Sequence, residues 1–174
     1  HADLSPMADV SAPGVDLTAA QQLPTNRSTS FIGTQKGGAF DVAANLARRW
    51  LAQPNPHGAS NAAVLAPWMN GLDIARRPQD LWIIDFGVDR SESEAALFEH
   101  PFAHVRELVH PARVGLARDG HRIYWWRHAE ARPGMRAATA VLTRFIATAR
   151  VAKHRMWTFM NRAVLPDSQV VVVA

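Results

Sequence analysis

The chain has 174 residues, 48% of them hydrophobic, which suits one domain, or one domain with an arm, and allows a substantial buried core. It has no cysteine, which excludes disulfides and thiolate metal sites and fits a reducing cytoplasm; no stretch approaches the roughly 18 apolar residues of a membrane helix. The net charge of +4 is unevenly spread: residues 1–110 hold 8 Lys and Arg against 12 Asp and Glu, whereas residues 111–174 hold 11 against 3, with Arg supplying 10 of the 11. Such an Arg-rich third suits phosphates and guanine edges, the alternative being a basic surface that only aids solubility.

Residues 1–30 are rich in Ala, Ser, Pro, Asp and Thr and read as an arm or connector, with a short helix at Val15–Gln22. They carry neither the basic start nor the apolar centre of a signal peptide. The chain opens without Met and closes on a bare valine run, so it is expected to be a piece of a longer polypeptide. Residues 31–174 read as the domain proper.

Phe31–Gly38 reads as a strand running into a glycine turn with Lys36 at its tip, an ordinary turn or a phosphate contact but not a Walker loop. Asp41 is placed to cap a helix reaching about Ala52, with Val42, Leu46 and Trp50 on one face and Arg48 and Arg49 in solvent. Gln53–Ser60 is a loop by composition. Val64–Ile74 reads as two extended pieces around an Asn70-Gly71 turn, and Leu81–Phe86 as a buried strand. Asp85, after three large apolar residues, asks for an Arg or a turn amide as partner.

Ser91–Glu94 is a capping box, so a helix is expected from there toward His110, with Phe98, Phe102 and Val105 on one side and Pro101 kinking or dividing it. His100 and His104 have the spacing of two ligands on one helix face, without an acid to complete a metal set. Ile123–His128 reads as an aromatic strand or extended turn; a strand would put one of Trp125 and Trp126 in the core and the other beside Arg127, free to stack on a base, whereas each Trp taken alone is better read as core. Arg132-Pro133-Gly134 breaks the chain, and a helix follows over about Met135–Leu142. Arg136 in its first turn opposes the helix dipole, which an outside anion would justify, a hint of phosphate.

Arg144–Met160 reads as one or two strands delivering Arg150, Lys153, His154 and Arg155, with Phe145, Ile146, Val151, Met156, Trp157 and Phe159 as apolar anchors. Ser168–Ala174 is a final strand. The order of elements predicts an α+β fold, a mixed or antiparallel sheet with about three helices. No glycine-rich nucleotide loop, nucleophile elbow or His-Glu-x-x-His motif occurs, so no chemistry is expected of this chain itself.

Several blocks resemble one family in the right order: FIGTQKGGAFDV at 31–42, the run from Asn61 to Gly87, EAALFEHPFAHVRE at 94–107, WWRHAEARPGMRAA at 125–138, RFIATARVAKHRMWTF at 144–159 and LPDSQVVVVA at 165–174. The family is the target-recognition region of class I S-adenosylmethionine-dependent DNA methyltransferases of the MmeI-like, type IIL restriction–modification group, and the resemblance covers about residues 16–174. It implies a target-recognition-domain fold and double-stranded DNA as partner. It also implies a catalytic adenine-N6 methyltransferase domain elsewhere in the same polypeptide. S-adenosylmethionine would be that domain's cofactor, with none bound by this piece. The setting implied is the bacterial cytoplasm, at the nucleoid, with no membrane. The family's Asn/Asp-Pro-Pro-Tyr/Phe tetrapeptide is absent: Asn55-Pro56 is followed by His57. The resemblance places DNA against the regions Trp125–Arg136 and Arg144–Arg155. The residues expected there are Arg150, Lys153 and Arg155 first, then His154, Arg127, Arg132 and Arg136, with Lys36 from the glycine turn. A scaffold or interdomain docking module is the alternative.

Overall fold

The computed structural model describes Gln21, Pro24 and residues 28–174. The arm expected over residues 1–30, with its helix at Val15–Gln22, lies almost wholly outside the described residues. The first half of the described chain holds β1 (Ser30–Ile32), β2 (Asp41–Ala43), α1 (Ala44–Leu51), β3 (Leu65–Met69), α2 (Gly71–Ala75) and β4 (Leu81–Ile84). A helical run follows: α3 (Glu92–Ala96), α4 (Glu99–Leu108), α5 (His110–Val114), α6 (Asp119–Ile123) and α7 (Pro133–Ala140). Four strands close the chain: β5 (Arg144–Ala149), β6 (Thr158–Asn161), β7 (Leu165–Pro166) and β8 (Val170–Val173).

The class is α+β, as the order of elements predicts, but among the described residues there are two four-stranded sheets rather than one and seven short helices rather than about three. One sheet runs β1-β8-β5-β6 and is antiparallel throughout. The other runs β2-β4-β3-β7 and is mixed, because β7 pairs with β3 in parallel. The β-branched run Val170–Val173 sits inside the first sheet, and LWIIDF supplies the inner strand β4 of the second. Pleat alternation turns Phe145, Ala147, Met160, Val170 and Val172 into the core, while Arg144, Ile146 and Phe159 lie on the outer face. The sheets meet where β7 turns into β8. There Gly33 passes so close that an added Cβ would lie 2.1 Å from the Asp167 carbonyl oxygen.

Local signals hold where the chemistry is local. Ser91 caps α3 with Glu94 in a reciprocal box. Pro101 falls in the first turn of α4 and the helical run is divided before it, since proline tolerates only that turn. Three expectations are corrected. Asn70-Gly71 is not a hairpin turn: Asn70 caps α2 in a box with Asp73, and the same Asn that suits a turn also suits a cap. Asp41 does not cap α1, because Asp41–Ala43 pair with β4, and the cap position is Ala43 without a side-chain bond. The Ile123–His128 segment is a helix end and turn, and both Trp125 and Trp126 are buried.

Arg113 ties this interior together. It is 2% exposed, and its guanidinium donates to the carbonyls of Trp125 (3.1 Å), Arg127 (2.6 Å), Lys36 (3.0 Å) and Gly37 (3.0 Å). It also lies over the Phe40 ring at 5.2 Å. Four carbonyl dipoles thus solvate a cation that no carboxylate among the described residues neutralises, and two turns remote in sequence are joined. Burial lowers its pKa from the ordinary arginine value.

Asp85 forms the second tie. Its carboxylate accepts from Arg136 of α7 at 2.6 Å and from the Gly87 amide at 3.0 Å, which fulfils the expectation of an Arg or amide partner. Burial works against the Asp85 anion, yet the charges of His128, when protonated, and Arg136, with the hydrogen bonds from Arg136 and the Gly87 amide, hold its carboxyl below the ordinary range. Burial pushes His128 down, so it is neutral at neutral pH and Arg136 is the resident counter-charge. His104, half-buried, is lowered the same way by loss of hydration.

Two outcomes are expected. Arg113→Met strips four buried carbonyls of their donor and should cost about 3 kcal/mol or more, read as a lower urea midpoint; Arg113→Lys should recover only part of it. The folded pKa values of His128 and His104 are depressed, so the unfolded chain binds more protons than the native one once pH falls below about 6.5. Tm should therefore decline from there downward, and further below about pH 4 as Asp85 is protonated away from Arg136. His128→Asn should flatten the upper part of that decline.

Candidate nucleic-acid interface

The basic cluster is carried by a loop, not by a packed strand. β5 ends at Ala149 and β6 begins at Thr158, so Arg150, Lys153, His154 and Arg155 all lie in the connection between two hydrogen-bonded strands. All four are exposed. The loop is fastened at both ends through backbone carbonyls: Arg150 donates to Ser168 at 3.2 Å, and Arg155 donates to Ala149 at 2.8 Å. The Arg150 amide also donates to the Gln169 carbonyl at 2.7 Å. At the loop's root, Gly71, Leu72, Arg150, Val151 and Gln169 line a hollow of about 400 Å³.

The apolar neighbours of this cluster are not all anchors. Phe145 is buried and Ile146 half-buried, but Val151 (92% exposed), Met156, Trp157 (58%) and Phe159 (61%) stand in solvent. Phe159 is opposite Ile146 on the outer face, the one turned away from the core. Arg144, at the start of β5, lies over the Phe159 ring at 4.2 Å. Trp157 is two residues before Phe159, the spacing that puts side chains on one side of an extended chain. The hairpin thus exposes both cations and aromatic rings, with one direct cation–ring contact, Arg144 on Phe159. Among the described residues, none of Arg144, Arg150, Lys153, Arg155 and Arg162 forms a salt bridge.

The remaining residues named from sequence are held in other ways. Lys36 pairs with Asp41. Arg127 donates to the Arg90 carbonyl at 2.6 Å and stacks over Tyr124 and Trp126 at 4.6 and 5.5 Å. Arg132 occupies the left-handed region, with φ of 55°, and faces Glu130 at 3.9 Å. The Arg136 guanidinium is committed to Asp85, which corrects the expectation of an outside phosphate at that helical turn: its partner is an internal carboxylate. The structure thus gathers Arg150, Lys153, His154 and Arg155 on one loop and does not bring Lys36 or Arg136 to it as free charges.

Sequence reasoning missed Arg144, Trp157 and Phe159 as surface groups. The pleat carried part of the signal: with Phe145 and Met160 inward, their strand neighbours Arg144 and Phe159 point out, whereas Trp157 precedes β6 and no strand pattern marks it. It also missed Arg113, for which no local pattern exists. His100 and His104 both lie against the Trp50 ring, at centroid distances of 6.4 and 5.6 Å. Among the described residues no group of three His, Asp or Glu is placed to hold a metal ion, and no helix is long and apolar enough to cross a membrane.

No protein-family model matches this chain, and no curated protein matches it. Among solved structures, it is similar to a chain of the type IIL restriction–modification enzyme MmeI in complex with DNA. The TM-score is 0.62 at 10% sequence identity, over 88% of this chain and 19% of the other. The chain thus spans about a fifth of that enzyme's length, and what the two are shown to share is a fold.

Proposed function

We propose that this chain is a target-recognition module: it reads double-stranded DNA and supplies sequence choice to a methyltransferase domain in the same polypeptide. The observation that carries the reading is the β5–β6 loop. It presents Arg150, Lys153 and Arg155 without carboxylate partners among the described residues, on a hairpin whose strands are fixed in a sheet and whose opposite end carries Arg144. The fold's likeness to part of an enzyme solved with DNA supports the same reading. Charges already matched inside a protein have little to offer a phosphate; unmatched ones attract it and release counterions.

In this reading Arg150, Lys153 and Arg155 contact the duplex first, His154 and Arg144 support them, and Arg127 and Arg132 act at the margin. Phosphate contacts would set register, and any arginine reaching a guanine edge would read it through O6 and N7. Methyl transfer, S-adenosylmethionine and the extrusion of the target adenine belong to the partner domain. A second reading concerns the other side of the molecule. Leu108, Val114, Leu116, Ile123 and Tyr124 are exposed along α4–α6 and the turn after it, which favours docking of that side on the rest of the polypeptide.

Titration of a labelled mixed-sequence duplex at increasing salt should show affinity falling as salt rises. The triple variant Arg150→Ala, Lys153→Ala, Arg155→Ala should bind more weakly, with the log–log salt slope reduced by roughly 0.9 for each cation that grips a phosphate. Binding indifferent to salt, or equal in the triple variant, would remove the proposal.

A further inference from the structure

Five of the six tryptophans are buried or half-buried; Trp157 alone is exposed, at 58%. It stands beside Met156, 43% exposed, at the end of the cationic loop and two residues before Phe159. Phe159 has the Arg144 guanidinium on its ring, whereas among the described residues no ring or cation stacks on Trp157. An indole offers a phosphate only one neutral N–H donor, and the adjacent arginines and lysine supply charged ones. What a flat, two-ring surface amid cations does recognise is the face of a nucleobase.

In a straight duplex those faces are covered by neighbouring pairs and only base edges are open in the grooves. A base face becomes available when a step is partly unstacked, and apolar side chains that enter such a step kink the helix. Resting on the DNA-reading function proposed above, we infer that Trp157 is a stacking wedge: its indole packs on a base at an opened step. The ligand of this loop is accordingly DNA that is locally unstacked, not uniformly straight duplex. The cations on either side hold the two flanking phosphate runs while the step is open. Pyrimidine–purine steps, which open most easily, would then be preferred even where no base edge is read.

The test uses the whole chain with a mixed-sequence duplex, either fully matched or carrying one mismatch. Tryptophan emission should be quenched on binding, and Trp157→Phe should lose most of that quench while keeping most of the affinity. Trp157→Ala should lose roughly tenfold in affinity, the scale of one base–aromatic stack, with the salt slope unchanged because the phosphate contacts remain. The unchanged chain should prefer the mismatched duplex, and Trp157→Ala should lose that preference. Salt-dependent binding with Trp157→Ala indistinguishable from the unchanged chain would overturn the wedge and leave the DNA reading standing; the indole would then be a contact for another protein domain. Absence of salt-dependent binding by the unchanged chain would overturn the DNA reading itself, and the wedge with it.

Discussion

The structure depends on a buried positive charge solvated by backbone carbonyls, with no counter-ion among the described residues. Arg113 is buried among backbone carbonyls, and its guanidinium joins the Lys36–Gly37 turn to the Trp125–Arg127 turn. A planar fork with several donors can satisfy four acceptors at once, which an ammonium cannot do with the same geometry. The first turn follows β1 and the second leads toward α7 and β5, so the clamp helps set the path of two strands of the same sheet. Asp85 and Arg136 add a second tie, from the end of β4 to α7, just before the chain enters β5. The hairpin that carries the exposed cations is therefore built on a base fixed from two directions.

Counting charges along the sequence locates the basic third but overstates how much of it faces outward. Arg113 is held by carbonyls, Arg136 by a carboxylate, and Arg127 by a carbonyl and two rings. Arg118, Arg122 and Arg132 have acidic partners at the surface. In this basic third, and among the described residues, Arg144, Arg150, Lys153, Arg155 and Arg162 form no salt bridge, and all five lie along the β5–β6 hairpin and its exit. Earlier in the chain Arg49, Arg76, Arg77 and Arg106 are exposed and, among the described residues, unpaired too, so what marks the candidate interface is the density of unmatched charge on one short loop.

What the sequence reveals follows the range of the interaction involved. The box at Ser91, the division at Pro101 and the buried LWIIDF strand are set by residues a few positions apart, and they read correctly. Asn70-Gly71 misleads because Asn serves both a turn and a helix cap; only Asp73 at the third helical position separates the two. Trp125 and Trp126 read correctly as core residues one by one; only the strand that would have sent them to opposite faces is replaced, by a turn that lets both rings enter the core. Asp85 declares its need for a partner, yet the sequence cannot say that Arg136, 51 residues on, fills it. Arg113 has nothing nearby to announce it, since its acceptors are backbone groups up to 77 residues away.

The loop's construction bears on how it can act. A cation on a packed strand has its reach set by the pleat, whereas one on a connection between paired strands can adjust to the irregular spacing of phosphates. A wholly free loop would lose that gain through the entropy of ordering on binding. Here Arg150 and Arg155 fasten the two ends to the Ser168 and Ala149 carbonyls, so the residues between them are constrained without being buried. Those same two side chains are surface cations, and a carbonyl bond leaves their charge unneutralised. The residues that restrain the loop can therefore also face a polyanion, and part of the ordering is complete before any ligand arrives.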